Sequence, residues 1–533
     1  DFFELGGDSI RSIQVVGQAR EAGLAAGLAT LLAHPTPAGL AAAMGAGEPE
    51  TAAIEPFALL SEDDRLLLPD GLDDAYPMAE LQVGMVYEME RDPERLPYHN
   101  VHTLRLTGAF DEARFRDALA RVTARHAVLR TSFDTSRYRE PMQLVHPDAE
   151  IPLVVADLRA ASPDTRAAAV DAYLRDERRT ALDPAVAPLC RIGVHVLADD
   201  AFQWTVTEHH AILDGWSLTS TLSEISSTYE SLLAGQDLRP APLRSHYRDY
   251  IAAERAALAT PAAREFWHDR LAGSGGSPLP RWSTASGQPM DDDGSLVTTL
   301  PADLRAGVER FALRAGVPVK TALLAAHLRV LALVTGSPDV TTGLSAHGRL
   351  EEPDGAEVRG LFLNTLPFRV SLPDGSWQDL ARAVLDAERE MSPYRRYPMA
   401  ALQREFVGAS LFEAGFVYND FHRFGRLAGG EGVWRIDPAG QGSSGSARTS
   451  FPLLVSVSRE AGAVGLRLEL EYDPRRLTRE QVTLLRDHHV RALQAMAADP
   501  SADHTTAVLV AGPEAARIGE WSCGGVGVSG AAT

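Results

Sequence analysis

Lysine, cysteine and excess positive charge are scarce in this chain of 533 residues. Lys320 is the only lysine, so nearly all of the 51 basic residues are arginine, a bias typical of proteins from high-GC bacteria. The 72 acidic residues outnumber the basic ones and give a formal charge of −21. A field of this sign repels phosphate backbones and anionic lipid, which argues against nucleic acid and membrane surfaces as partners.

The cysteine content is too low for a structural framework. Cys190 and Cys523 lie far apart in the sequence and can form neither a disulfide scaffold nor a metal cage. Long apolar runs are missing as well, because the most apolar helical stretch, 317–335, is interrupted by a lysine, a histidine and an arginine. We therefore expect a protein of the reducing cytoplasm, with no membrane span and no metal site.

The length predicts more than one folded core, since single domains usually have about 100–200 residues. Residues 1–48 form a small helical unit in which Asp8 or Ser9 can cap a helix, because their side-chain oxygens accept hydrogen bonds from first-turn amides. The acidic stretch 49–75 has no strong apolar period and is interpreted as a linker.

Strands alternate with amphipathic helices through the rest of the chain, which predicts an α/β (α+β) fold in two halves of similar rhythm. We place the first half at 76–245 and the second at 246–511. In the first half, 201–208 alternates apolar and polar residues as a half-buried strand does, and 216–233 has a helical pattern. The last stretch, 512–533, is expected to begin a linker to a further domain.

Between that strand and that helix lies the strongest candidate for a site, the loop His209-His210-Ala211-Ile212-Leu213-Asp214-Gly215. A neutral imidazole can take a proton from an amine or hydroxyl near neutral pH, a carboxylate can fix the loop, and a glycine lets a substrate approach the backbone. A histidine pair alone would more often be one buried and one exposed residue, but the Asp-Gly ending favours a functional loop.

This loop resembles the HHxxxDG signature of condensation domains in nonribosomal peptide synthetases, and Asp1–Ile10 (DFFELGGDSI) resembles the attachment motif of a peptidyl carrier protein. Further condensation-type segments follow in the family's order. They are YPMAELQVGM from Tyr76, RHAVLRTSF from Arg125, YRDY from Tyr247 and GLFLNTLPFR from Gly360. The resemblance covers roughly residues 1–510 and indicates a carrier–condensation segment of a larger synthetase.

The resemblance implies a helical-bundle carrier followed by two chloramphenicol-acetyltransferase-like lobes, arranged as a V-shaped pseudo-dimer around a central tunnel. Because the match begins at Asp1, the carrier is expected to lack its first helix. The implied reaction is the attack of an acceptor aminoacyl-thioester amine on a donor thioester, which makes an amide without a metal. The donor would be held on 4'-phosphopantetheine attached to Ser9, with Asp8 beside it at the attachment site.

By position, the resemblance makes His210 the residue that places or deprotonates the amine. His209, Asp214 and Gly215 would complete the catalytic loop, with His209 and Asp214 more architectural than chemical. Positioning and charge stabilisation can lower the barrier as much as proton removal, because a neutral amine is already a competent nucleophile.

Other positions are expected to support the site. Arg349, in the sequence Ala346-His347-Gly348-Arg349, is similar to the arginine that pairs across the lobes with the aspartate of the loop. Arg125 and Asn364 match further supporting positions. The alternative for Arg349 is a surface arginine, which would contribute almost nothing to stability.

The implied partners are donor and acceptor carrier domains with aminoacyl or peptidyl thioesters, an adjacent adenylation domain and a phosphopantetheinyl transferase. The YPMAELQVGM segment and Leu213 are more similar to condensation domains that accept D-configured donors than to those for L-donors. No epimerisation domain lies between the carrier and the condensation unit. A glycine donor, a D-donor made elsewhere and an L-donor all remain open.

Rival functions share parts of this pattern. An epimerisation domain has the same loop, but this chain has Ser345 where those domains usually place a glutamate. A heterocyclising domain would replace the histidines with aspartates. A silent recruitment domain that binds partner enzymes would usually have a damaged histidine motif, and a freestanding CoA-dependent acyltransferase would not have a carrier fused in front.

Overall fold

The computed structural model describes residues 2, 7, 9–25, 27–46, 54–237, 239–281, 294–406, 410–420, 434–437, 442–444, 451–459, 465–512, 514–516 and 518. The carrier segment contains α1 (Ser9–Glu21), β1 (Leu24–Ala25), α2 (Leu28–Ala33), α3 (Pro37–Ala43) and β2 (Gly45–Ala46). Its apolar contact is small and centres on Val16, Leu31 and Leu40. The helix that Asp8 or Ser9 was predicted to cap is α1, which begins at Ser9. Asp8 lies outside the described residues.

The predicted linker is more structured than its sequence indicates. It contains α4 (Glu62–Leu66) and ends in β3 (Asp74–Pro77). Phe57 N–H donates to the Asp74 carboxylate at 2.8 Å, and the side chain of Asp64 is buried. Arg139 N–H of the first half donates to Asp64 Oδ1 at 3.0 Å, and Ile54 N–H donates to Asp249 of the second half at 3.2 Å, so from residue 54 onward the segment packs against both halves. The prediction of a plain tether was wrong here, because these contacts follow neither a helical nor a strand period.

The first half continues with alternating helices and strands. They are α5 (Glu80–Arg91), β4 (His99–Thr107), α6 (Glu112–Arg125), β5 (Thr131–Asp134), β6 (Met142–Val145), β7 (Leu153–Asp157), α7 (Pro163–Glu177), β8 (Cys190–Ala198), β9 (Ala201–His209) and α8 (Gly215–Leu233). Local signals explain their bounds. For example, Asp111 caps α6 by accepting a hydrogen bond from Arg114 N–H at 3.0 Å, and Phe115, Leu119 and Val122 form its buried face.

The second half has the same rhythm. Its elements are α9 (Tyr247–Ala259), α10 (Pro261–Leu271), β10 (Ser295–Leu300), α11 (Ala302–Ala315), α12 (Val319–Thr335), β11 (Asp339–His347), β12 (Leu363–Ser371), α13 (Trp377–Met391), α14 (Met399–Glu405), β13 (Ala414–Asp420), β14 (Arg435–Ile436), β15 (Gly442–Ser444), β16 (Leu453–Arg459), β17 (Leu466–Tyr472) and α15 (Arg479–Ala498). In the described part of the chain no single helix is long and apolar enough to span a membrane, and only α11 and α12 together, bent by 102°, pass by length and composition.

Each half folds around its own sheet and its own hydrophobic core. The first lobe has the strand order β14-β4-β9-β8-β7, with β15 also paired to β4. The second lobe has the order β10-β17-β16-β13-β11-β12, and a small sheet, β3-β6-β5, lies beside the first. This arrangement confirms the predicted α/β architecture of two lobes.

The boundary between the lobes is not a single point in the sequence. Strands β14 and β15 come from the second half, yet both pair antiparallel with β4 of the first lobe. Trp434, just before β14, is fully buried in the first lobe, where its ring stacks on Tyr229 at 4.3 Å. The division into 76–245 and 246–511 thus misses this crossing, because pairing between strands so distant in sequence leaves no local signal.

Candidate active site between the lobes and the carrier

The histidine loop joins the end of β9 to the start of α8. His209 is the last residue of β9, and Gly215 is the first residue of α8. Asp214 is the N-cap of that helix, and its Oδ1 accepts a hydrogen bond from Ser217 N–H at 2.7 Å. The tight loop therefore ends in a helix cap that fixes the Asp214 carboxylate.

His209 is fully buried and contacts the loop from inside. Its Nδ1 accepts a hydrogen bond from Ala211 N–H at 3.1 Å. Burial lowers the pKa of His209 to about 4. The ring is therefore neutral at physiological pH, and its hydrogen bond to Ala211 N–H lies within the loop.

His210 has a different environment. Its side chain is 20% exposed and lines the cavity described below. Its backbone N–H donates to the carbonyl of Tyr98 at 2.8 Å, and Tyr98 has a left-handed φ of 64°. A strained residue of this kind, held in place by its surroundings, is frequent at functional sites. His210 is thus the histidine of the pair that a substrate can reach.

Arg349 and Asp214 form a buried ion pair between the lobes. Arg349 Nη2 lies 2.8 Å from Asp214 Oδ1 and 3.0 Å from Oδ2. Nη1 donates to the carbonyl of Val358 at 2.8 Å, and the guanidinium lies 4.3 Å from the centre of the Phe362 ring. The alternative of a surface arginine is wrong, since its side chain is fully buried.

Ser217, in the first turn of α8, makes contacts that its place in the sequence did not indicate. Its hydroxyl accepts a hydrogen bond from Arg349 Nη2 at 2.7 Å and donates to the carbonyl of Gly360 at 2.8 Å. Asp214 N–H donates to the same Gly360 carbonyl at 3.0 Å. The start of α8 is therefore attached to the second lobe through a hydroxyl, a backbone amide and an ion pair.

Gln82 is a second residue whose role was not foreseen, although it lies in the YPMAELQVGM segment. Its Nε2 donates to the carbonyl of Ala211 at 2.8 Å and to Gln143 Oε1 at 3.1 Å, and its Oε1 caps α5 by accepting from Ala79 N–H at 2.8 Å. The Gln82 side chain is buried and makes all three of these hydrogen bonds. It therefore holds the middle of the histidine loop, at Ala211, in place.

Arg125 and Asn364 lie where they can support the site. Arg125 donates to Glu224 of the first lobe and to Glu357 of the second, each at 2.7 Å. Asn364 donates to the carbonyl of Tyr397 at 2.7 Å and accepts from Met399 N–H at 3.2 Å. Arg125 therefore links the lobes, and Asn364 fixes the start of α14 on the cavity wall.

A cavity of about 1490 Å³ is lined by residues of both lobes and of the carrier. Its wall includes His210 from the first lobe and Ser345 and Asn364 from the second. Gly7, Arg11 and Ser12, at and before the first turn of α1, also line it. The cavity thus connects the start of α1 with the histidine loop.

The carrier docks on the second lobe beside this cavity. Arg20 lies 3.0 Å from Glu352, and Leu28 N–H donates to Glu351 at 3.0 Å. At Gly17 the helix approaches the opposing backbone so closely that a Cβ would meet the Glu352 carbonyl oxygen at 2.6 Å. Contacts on both α1 and α2 therefore hold the carrier in one orientation.

The residues present fit a phosphopantetheine group. Ser9 is the first residue of α1, and Gly7 and Arg11, two residues before and two residues after it, line the cavity that leads to His210. Among the described residues, no group of three or more His, Cys, Asp or Glu side chains is placed to hold a metal ion.

Known protein families account for almost the whole chain. The family model described as Condensation domain matches residues 73–518, and the model described as Phosphopantetheine attachment site matches residues 1–44. The AMB antimetabolite synthetase AmbE of Pseudomonas aeruginosa is 37% identical over 518 residues, which cover 94% of this chain. The chain spans 24% of that relative's length. The predicted order of carrier and condensation unit, and the attachment site for covalent 4'-phosphopantetheine, are confirmed.

Solved structures share the fold of the two lobes. The first condensation domain of the calcium-dependent antibiotic synthetase, in complex with a substrate analogue, has a TM-score of 0.65 at 20% identity and covers 82% of this chain and 100% of its own. A chain in the complex of the X-domain and OxyB from teicoplanin biosynthesis has the same TM-score and identity, over 86% of this chain and 100% of its own. At this identity the likeness shows the fold.

Proposed function

Because the chain belongs to the condensation domain family of nonribosomal peptide synthetases and has a phosphopantetheine attachment site before that domain, we propose that it forms a peptide bond. The donor acyl group would be carried at Ser9, and the nucleophile would be the amine of an acceptor aminoacyl thioester. The finding that supports this proposal most directly is the cavity that joins the first turn of α1 to His210.

In the proposed reaction, the amine nitrogen forms a bond to the donor carbonyl carbon while the carbon–sulfur bond breaks. Phosphopantetheine, when attached at Ser9, supplies a long flexible thiol arm that presents the donor as a thioester. His210 accepts a hydrogen bond or a proton from the amine and so aligns it for attack. The proton then passes to the leaving sulfur, so that an amide and a thiol are formed.

The other loop residues act on His210 rather than on the substrate. His209 holds the loop as a neutral ring, and Gln82 holds the Ala211 carbonyl. Asp214 and Arg349 attach the loop to the second lobe. Gly215, on the cavity wall, leaves the backbone open to a substrate.

The proposal extends to partners outside this chain. A phosphopantetheinyl transferase would load Ser9, an adjacent adenylation domain would supply activated amino acids, and a second carrier would bring the acceptor. Because the chain would work with these components, we propose that it is located in the cytoplasm. Donor carriers bearing glycine, a D-residue or an L-residue are all compatible with the described residues.

The test is intact-protein mass spectrometry on the full chain. Ser9 is loaded with a glycyl, D-alanyl or L-alanyl group on phosphopantetheine, and a small aminoacyl-thioester acceptor is added. We expect the acceptor to gain the donor group, Ser9→Ala not to load, and His210→Ala to load normally but transfer slowly. A loaded protein that transfers none of the three donors would contradict the proposal.

The same experiment in deuterated water addresses epimerisation, which uses the same type of loop. Ser345 lies on the cavity wall, where a carboxylic acid would be needed to exchange the α-proton with His210. Exchange of the donor α-proton without transfer would identify an epimerase. Binding of another enzyme to the loaded carrier with neither reaction would identify a recruitment domain.

A further inference from the structure

Glu208 is a buried carboxylate immediately before the histidine pair, and the proposed reaction gives it no role so far. It lies on β9 opposite Asn100 of β4 and Cys190 of β8, and it is only 1% exposed. Within the described residues it forms no ion pair with an arginine or a lysine. A buried ionised carboxylate is costly unless hydrogen bonds or charges compensate it, so its surroundings need an explanation.

Three side chains approach one oxygen of this carboxylate. Asn100 Nδ2 donates to Glu208 Oε1 at 2.7 Å. His102 Nε2 lies 3.5 Å and His210 Nδ1 lies 3.9 Å from the same oxygen. Glu208 and His210 are two residues apart at the end of a strand, a spacing that directs side chains to the same face.

The groups that face Glu208 leave it negatively charged. They are Asn100 and His102 on β4, the thiol of Cys190 on β8, and His210 in the loop. Burial by itself would raise the pKa of Glu208, but the imidazoles of His102 and His210 and the amide of Asn100 outweigh it and lower the pKa. Burial raises the pKa of the Cys190 thiol, which therefore stays neutral.

The nitrogen of His210 that faces Glu208 is Nδ1. Nδ1 is buried and has no hydrogen-bond partner among the described residues, and the same holds for Glu208 Oε2. The ring nevertheless lines the cavity. A buried nitrogen beside a carboxylate, on a ring that reaches the substrate space, is the arrangement in which a carboxylate selects the tautomer of a histidine.

We propose that Glu208 is a positioning residue for His210, whose Nδ1–H donates to the Glu208 carboxylate and leaves Nε2 to receive the proton of the acceptor amine. The distance of 3.9 Å would shorten in the substrate complex, as hydrogen bonds of catalytic groups commonly do. The statement that the acceptor amine supplies the proton received by Nε2 rests on the proposed function, whereas the contact between Glu208 and His210 does not. During attack the amine proton moves to Nε2, the imidazolium is stabilised by Glu208, and the proton then leaves to the thiolate.

The tautomer of His210 tests this proposal without any reaction. In protein labelled with ¹⁵N-histidine, the His210 signals are identified by comparison with His210→Ala, at a pH where the ring is neutral. We expect the proton on Nδ1 in the wild type and also in Glu208→Gln, which keeps Oε1 as an acceptor. Glu208→Leu removes the acceptor and should move the proton towards Nε2. A wild-type ring protonated on Nε2, or an unchanged tautomer in Glu208→Leu, would overturn the proposal.

Kinetics provide the second measurement, because a purely structural role would not separate kcat from KM. Glu208→Leu should lower kcat for transfer at least about tenfold with an unchanged acceptor KM. Glu254→Gln is the control, because Glu254 is another buried carboxyl and lines the cavity, and it should leave the His210 tautomer as in the wild type. A tautomer shift in the control equal to that of Glu208→Leu would count against the proposal.

A variant that fails to fold does not end the test. If Glu208→Leu is unfolded, Glu208→Met removes the same acceptor with an unbranched side chain and should shift the tautomer in the same direction, and no shift would overturn the proposal. If the tautomer depends on Glu208 while no variant or wild type transfers an acyl group, the proposed function fails and the assignment of Glu208 stands.

Discussion

Arg349 of the second lobe donates to both carboxylate oxygens of Asp214 in the first lobe, and both side chains are almost completely removed from solvent. The pair connects the cap of α8 to the segment between β11 and β12. Since the histidine loop ends at Asp214, the relative position of the two lobes and the shape of that loop depend on the same contact.

We expect Arg349→Ala to destabilise the protein by about 3–5 kcal/mol, because it leaves a buried carboxylate without its counter-ion. Arg349→Lys should recover only part of this loss, since an ammonium cannot reach Asp214 and the Val358 carbonyl as the planar guanidinium does. Thermal unfolding measures both. Arg475→Ala is the control, an arginine–aspartate pair with a 62% exposed arginine, and should cost within about 1 kcal/mol. Equal losses in Arg349→Ala and Arg475→Ala would contradict the prediction.

The two histidines of the loop should respond differently to truncation. His210→Ala is expected to slow transfer by about 10²–10⁴-fold with little change in melting temperature, because the ring lies at the cavity wall. His209→Ala should lower the melting temperature, because it leaves a void at a fully buried position and frees the amide of Ala211. Single-turnover transfer and thermal melts on both variants decide this. A stable His209→Ala protein with normal packing would refute its architectural role.

Docking of the carrier should depend on the absence of a side chain at Gly17. Gly17→Ala favours the helix by itself, by up to about 1 kcal/mol. Its methyl group would nevertheless meet the Glu352 carbonyl and displace α1. We expect transfer from Ser9 to slow by about 10- to 100-fold, since small misplacements of reactants have effects of this size. Transfer from a small free thioester, which does not need docking, is the control and should be unchanged.

Stability should fall at higher pH because of Glu254. Burial raises the pKa of Glu254 to about 7. At pH values between the ordinary pKa of a glutamate and this raised pKa, Glu254 keeps its proton in the folded protein but has lost it in the unfolded chain. Stability therefore declines as pH rises through this range. The penalty is absent at pH 4 and complete above pH 8, at about 3 kcal/mol for a shift of this size. Glu254→Gln should therefore raise the melting temperature at pH 8 but not at pH 4, relative to the exposed control Glu90→Gln. A gain of the same size at both pH values would be inconsistent with this account.

Local patterns in the sequence predicted the helices and strands that have a clear apolar period. The strand predicted at 201–208 is β9 (Ala201–His209) and the helix predicted at 216–233 is α8 (Gly215–Leu233), so each differs by one residue at one end. Each of these has a clear apolar period and a cap or turn at its ends. The elements and contacts that the sequence did not predict have neither an apolar period nor a cap or turn. Strands β14 and β15 are two and three residues long, and the contacts of 54–73 follow no period.

Part of the site could be read from motifs, and part could not. The loop from His209 to Gly215 and the partner of Asp214 were predicted through the family resemblance, whereas Gln82 lies within a motif that gave it no role and Ser217 lies two residues beyond the loop. Glu208 has no signal of its own in one sequence, because a glutamate at the end of a strand is most often exposed. Only its pairing with Asn100 shows that it is buried next to His210.

The sequence by itself determined the order of the units, the carrier serine, the histidine loop and the alternation of helices and strands, because these depend on residues close together in the chain. Tertiary structure decided which side chains meet across the lobes and where the carrier docks. Arg349 and Asp214 are 135 residues apart, and Arg20 and Glu352 are 332 apart. No periodicity brings such residues together; their proximity arises when two separate cores are packed against each other.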